Sequence, residues 1–175
     1  FRRAGGTDID HRRTAVSDDA GEVRQSDAVP GGDSGSGSGG FAERGIIDAG
    51  DLTADVGETA ATVWASALEG ASLRTSPRLL LTHLTDVQNS GARYAERSRR
   101  TLLAWGGLPH LARNGKADIR LAVENAGDCK VYALSAGGRR VAAVEARVVE
   151  GRLAFTAAVD GRPGGATILY EIARE

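Results

Sequence analysis

Leu153, Phe155, Ala157 and Val159 alternate with Ala154, Thr156 and Ala158, and Ile119, Leu121 and Val123 alternate with Asp118, Arg120 and Ala122. A period of two sends successive side chains to opposite faces of an extended backbone, so each run reads as a strand with one face buried. The same pattern predicts strands near 60–67, 78–87, 101–105, 130–135, 140–149 and 167–173. Asn114-Gly115, Gly137-Gly138, Glu150-Gly151 and Asp160-Gly161 stand where one alternating run stops and the next begins, and they supply the positive φ of tight hairpin turns. Short strands joined by antiparallel turns specify an all-β fold, an antiparallel β-sandwich. Ala92 to Thr101 is charged and poor in strand formers, and reads as a solvated loop or a helical segment.

The alternating runs fall within residues 41–175, which carry most of the apolar content and are long enough to bury a core. Residues 31–40, GGDSGSGSGG, hold no apolar side chain, so burial cannot offset the entropy of ordering them, and they read as a flexible linker or loop. Residues 1–30 form a polar segment with one hairpin candidate, Thr14–Ser17 and Glu22–Gln25 across the turn Asp18–Gly21.

The core these strands enclose is mainly aliphatic, because only two Trp, three Tyr and three Phe are present. With 22 Lys and Arg against 23 Asp and Glu, the chain has no global field for polyanions or anionic lipid, and neither nucleic acid nor membrane is expected as a partner. Cys129 is the lone cysteine, which excludes an internal disulfide, and no Cys/His cluster offers structural zinc. No apolar run approaches the roughly 18 residues of a membrane helix. The opening at Phe1 rather than Met reads as a processed or excised piece, so no address is visible here and secretion or periplasmic location would come through a parent protein.

No arrangement of residues specifies catalysis or a cofactor. Gly32-Asp33-Ser34-Gly35 has the wording of a serine-protease nucleophile loop, but that Ser lies in a tract with no packing to hold a base beside it. Gly35, Gly37 and Gly40 match a dinucleotide fingerprint on paper, without the strand and helix that give it meaning. His83 and Asp86 point to opposite faces if 78–87 is one strand, so they cannot share a metal ion. His83 is expected to be a hydrogen-bonded strand residue, and His110 a strand-edge residue. The carboxylates Glu58, Glu69, Asp86 and Glu96 show no spacing that singles out an acid and nucleophile pair.

The informative stretch runs from Asp86 to Tyr94, DVQNSGARY, where a leucine-rich strand enters amide, Gly, Arg and Tyr groups. Asp86, Gln88, Asn89 and Arg93 offer hydrogen bonds to sugar hydroxyls, and Tyr94 or Trp105 a ring on which a pyranose stacks. A structural role competes with this: Asp86, Gln88 and Asn89 satisfy loop backbone, and Arg93 packs on a neighbouring domain. Trp64 and Trp105 lie inside strand patterns, where a buried core position is expected.

The run Arg78-Leu79-Leu80-Leu81-Thr82-His83-Leu84-Thr85-Asp86-Val87-Gln88-Asn89-Ser90-Gly91, after Ala61-Thr62-Val63-Trp64-Ala65-Ser66, resembles the C-terminal β-domain of large bacterial glycoside-hydrolase-like proteins. So do Lys130–Leu134, Gly138–Val141, Gly151–Thr156 and Ile168–Ile172. The resemblance covers roughly residues 58–175, with Thr14 to Gln25 matching the lead-in from the barrel. It implies a sandwich that follows and packs on a (β/α)8 catalytic barrel absent from this chain, and it carries over no active-site residue. The function it implies is a non-catalytic accessory sandwich whose Gln88, Asn89, Arg93 and Tyr94 line the glycan cleft. A self-standing carbohydrate-binding module and a bacterial surface or secreted protein-interaction domain are the alternatives.

Overall fold

The computed structural model describes residues 37–70, 72–160 and 166–175. The expected hairpin at 14–25 and residues 31–36 of the expected linker lie outside them. The described residues form antiparallel strands with a single short 3-10 turn at Ala126–Asp128, consistent with a sandwich-like all-β fold.

Two sheets face each other. Strands β1 (Gly37–Ala42), β4 (Ala61–Ala67), β5 (Arg78–Leu84), β11 (Cys129–Leu134), β12 (Arg140–Val144) and β15 (Leu169–Arg174) build one, in the order β1-β4-β5-β15-β11-β12. The other contains β2 (Ile46–Ala49), β3 (Leu52–Asp55), β10 (Gly115–Leu121), β13 (Ala146–Val149) and β14 (Arg152–Val159), in the order β13-β14-β10-β3-β2. The alternation seen in the sequence sets the facing sides. Leu79, Leu81, Val63, Val131 and Ile172 from the first sheet meet Leu52, Ile119, Leu121, Leu153 and Phe155 from the second in one buried cluster. Tyr170, fully buried, ties the layers together: its hydroxyl accepts from the Ala158 N–H and donates to the Ala158 carbonyl, both at 2.7 Å, and its ring lies 6.1 Å from that of Phe155. Filling both a donor and an acceptor role offsets the cost of taking the hydroxyl out of water.

Both lateral edges are crossed by chain that changes sheet. The run expected as one strand over 140–149 breaks at Glu145, leaving β12 at the edge of one sheet and β13 at the edge of the other. On the opposite side β1 and β2 do the same through residues 43–45. The Glu150-Gly151 turn joins β13 to β14 with both residues at positive φ, 52° and 76°, as a two-residue hairpin requires. Asn114-Gly115 does not close a hairpin: Gly115 opens β10, and a Cβ there would lie 2.9 Å from the Thr59 methyl and 3.0 Å from that of Thr85.

Gly37–Gly40 correct the expectation of a linker through residue 40. They pair in β1 with Val63–Ser66 of β4, and Ser38 is buried with its hydroxyl donating to the Ala49 carbonyl. A Cβ on Gly39 would lie 2.3 Å from the Val63 carbonyl oxygen and 2.7 Å from Cε3 of Trp64. The Trp64 indole therefore lies against β1 on the outer face, half-buried rather than in the core, and Gly is required because the ring takes the space of a side chain.

His83 faces the core at 0% exposure. Its backbone N–H donates to the Ile168 carbonyl at 2.8 Å, as in a hydrogen-bonded strand residue, while neither ring nitrogen has a hydrogen-bond partner among the described residues. Burial pushes its pKa below the usual histidine value, opposed in part by the Ala157 backbone. On the outer face of the six-stranded sheet Glu171, 5% exposed, is held by Arg140 Nε at 2.7 Å and Arg78 Nε at 3.0 Å. These bonds keep its carboxyl below the usual range against the opposing effect of burial.

Candidate functional site

Between β5 and β10 the chain leaves the sandwich and returns as an arm of two short ribbons. Strands β6 (Val87–Ser90) and β9 (Gly107–Ala112) pair next to the body, and β7 (Arg93–Tyr94) pairs with β8 (Leu102–Ala104) beyond them. Sequence alternation carries on through Thr85 and Asp86, which is why one strand was expected over 78–87, but Leu84 ends β5. The base is latched by the Arg113 N–H on the Asp86 carbonyl at 2.8 Å and by the Thr85 hydroxyl on the Arg113 carbonyl at 2.5 Å. No residue of the arm belongs to the buried cluster.

The arm doubles back on itself. Gly91 and Gly106 sit at positive φ, 72° and 67°, and a Cβ on Gly106 would be 2.2 Å from the Ser90 carbonyl oxygen. Only Gly allows the two ribbons to turn so closely. The loop after β7 is thereby carried to the base, where Arg99 NH1 meets Asp86 at 2.7 Å, with Arg113 on the same carboxylate at 3.2 Å. Residues 92–101, expected as loop or helix, are thus part strand and part turn, with the Thr101 N–H on Glu96 at 2.8 Å. The bend leaves Trp105 and Leu108 at the apex, 77% and 79% exposed, with Leu103 at 58%. Strand β8 stops at Ala104, so Trp105 is exposed and the expected core position is overturned. Nothing covers this apex among the described residues.

All six candidate residues lie on this arm, yet they do different things. Gln88 and Tyr94 line an open depression of about 490 Å³ with Ala95, Glu96, Arg97 and Arg99, and the Arg99 guanidinium stands 5.6 Å from the Tyr94 ring centre. Asp86 serves the ion pairs just described. Asn89 fixes the fold of the arm: its Nδ2 donates to the Trp105 carbonyl at 3.0 Å and its Oδ1 accepts from His110 Nδ1 at 2.7 Å, which places the proton of that ring on Nδ1. Arg93 is exposed and has no ion pair among the described residues, as is true of Arg97 and Arg100. Leu103, Leu108 and the loop arginines Arg97, Arg99 and Arg100 stand outside the sequence candidates, because neither their exposure nor the doubling back of the arm leaves a mark on local pattern.

Chemically the arm can donate and accept hydrogen bonds, pair with anions and offer apolar surface. Its two carboxylates are engaged, Asp86 by guanidinium groups and Glu96 by backbone. Among the described residues no group of three or more His, Cys, Asp or Glu converges. No known family, curated protein or solved structure matches this chain.

Proposed function

We propose that this chain is a non-catalytic accessory β-sandwich of a glycoside hydrolase, packing on the catalytic barrel with the Gln88 and Tyr94 side of its arm turned to the glycan. The observation that supports this reading is the gathering of the amide, phenol and guanidinium groups of Gln88, Tyr94, Arg97 and Arg99 around one open depression that stands outside the core. Such groups bind hydroxyl-rich ligands without reacting with them. A self-standing carbohydrate-binding module has less support, since it needs a platform of rings, and Trp105 stands at the apex while Arg99 lies over the ring of Tyr94.

The test is titration of the chain with plant and bacterial oligosaccharides, followed by calorimetry and tryptophan fluorescence, with reducing sugar assayed in the same samples. The expected result is no sugar release and binding no tighter than about millimolar, weakened further by Tyr94→Ala. Release of reducing sugar overturns the reading, and binding near about 1 μM transfers it to the carbohydrate-binding module.

A further inference from the structure

The net charge of −1 hides two opposed surfaces. Residues 86–113, the arm with its base, hold five Arg against Asp86 and Glu96, which is 5 − 2 = +3. Residues 41–58, from the end of β1 through β3, hold Glu43, Asp48, Asp51, Asp55 and Glu58 against Arg44, which is 1 − 5 = −4. The remaining residues have 16 of each sign, so the whole imbalance resides in these two segments. Each also exposes apolar side chains: Trp105, Leu108 and Leu103 on the arm, and Phe41 at 48% and Ile46 at 41% on the acidic edge.

Neither surface is neutralised among the described residues. Arg93, Arg97 and Arg100 have no ion pair among the described residues, nor have Glu43, Asp48, Asp55 and Glu58. Ile46 and Asp55 are opposite one another on β2 and β3, and β2 is the terminal strand of its sheet. The Ile46 and Asp55 part of the acidic edge shares one end of the sandwich with the arm, while the Asp51 turn lies at the other end, beside Ala122. Gly45 bonds to Gly57 and Val56 at 2.9 Å, fixing the loop after β1 against the loop after β3, and that second loop runs to Thr59, which touches Gly115 beside the arm base.

From this complementarity we infer that the arm docks on the acidic edge of a second copy of this chain, with Trp105 and Leu108 against Phe41 and Ile46 and the free guanidinium groups on Asp55 and its neighbours. An exchange made reciprocal about a two-fold axis engages both arms and both edges and closes as a dimer. Apolar contact at the apex supplies affinity, and the opposed charges supply orientation and rate. The inference goes beyond the accessory-domain reading and uses the apex and free arginines rather than the Gln88 and Tyr94 depression. Pairing and glycan binding are therefore tested apart.

The experiment is sedimentation velocity on the full chain over a range of concentrations, at low and high salt. A species of twice the 18.2 kDa monomer mass is expected at low salt, dissociating as salt rises. Trp105→Ser and Arg100→Glu should each shift the chain to monomer with an unchanged circular dichroism spectrum. Mixing the R100E chain with a D55R chain should restore the dimer, which a merely structural defect would not do. A monomer at every concentration overturns the inference, as does a dimer indifferent to Trp105→Ser and Arg100→Glu. Flotation of a monomeric chain with phosphatidylserine–phosphatidylcholine vesicles would overturn it too, assigning the arm to a lipid surface. The glycan titration is unaffected by any of these results.

Discussion

His83 occupies a place in the core that its neighbours fill with aliphatic groups. Val63 stands beside it on β4 and Ala157 belongs to the opposite sheet, and Tyr170, the nearby titratable side chain on β15, is committed to Ala158. No carboxylate faces it from these strands to hold a charge. Protonation is therefore resisted in the folded state and free in the unfolded chain, which takes up its proton near the usual value of about 6.5. The neutral ring has its full stability above that pH, and stability falls as pH drops below it toward the depressed folded value. Urea denaturation should show a loss of up to about 1.4 kcal/mol per pH unit below pH 6.5, and His83→Leu should flatten that slope. A wild-type slope matched by the variant would show that the ring does not govern it. The run LLLTHL placed His83 on a strand, but neither its inward face nor the lack of partners for its ring nitrogens could be read there, because the groups facing it come from a sheet encoded some seventy residues away. Trp64 and Trp105 teach the same limit: a period of two separates the faces of a strand without telling which one is covered.

At the scale of elements, β1 shows how composition misleads. Glycine in a polar tract reads as freedom, and here it makes room for the Trp64 ring encoded in β4. Gly39→Ala would set a methyl 2.6 Å from the Trp64 Cα and 2.3 Å from the Val63 carbonyl oxygen, both backbone atoms that cannot swing aside. A loss of about 3 kcal/mol or more in chemical denaturation is expected, with a red shift of Trp64 emission as β1 detaches. Unchanged stability would mean that β1 contributes nothing to the sheet. The breaks at Glu145 and after Leu84 were illegible for a related reason. A strand that leaves one sheet for another keeps its alternation, and only the partner strands record the change. The hairpin at Glu150-Gly151 was legible because its chemistry is local.

For the whole molecule, the division between sandwich and arm predicts two different tolerances. Replacing residues 87–112 with Asn-Gly, across the Asp86 and Arg113 latch, should leave cooperative thermal unfolding within about 5 °C of the intact chain, since the buried cluster contains no residue of the arm. A collapse of the transition would show the arm to be part of the core. The sandwich was readable in the sequence because its core repeats one rule in strand after strand, whereas the arm is defined by what it leaves uncovered. The order β1-β4-β5-β15-β11-β12 has a further consequence in the cell. Strand β15 is the last of these to be synthesised, yet it joins β5 on one side to β11 on the other. Until it emerges from the ribosome, this sheet exists as two halves with raw inner margins, a state that chaperones recognise. A message cut short before Leu169 therefore yields a product that advertises its own incompleteness and is open to destruction.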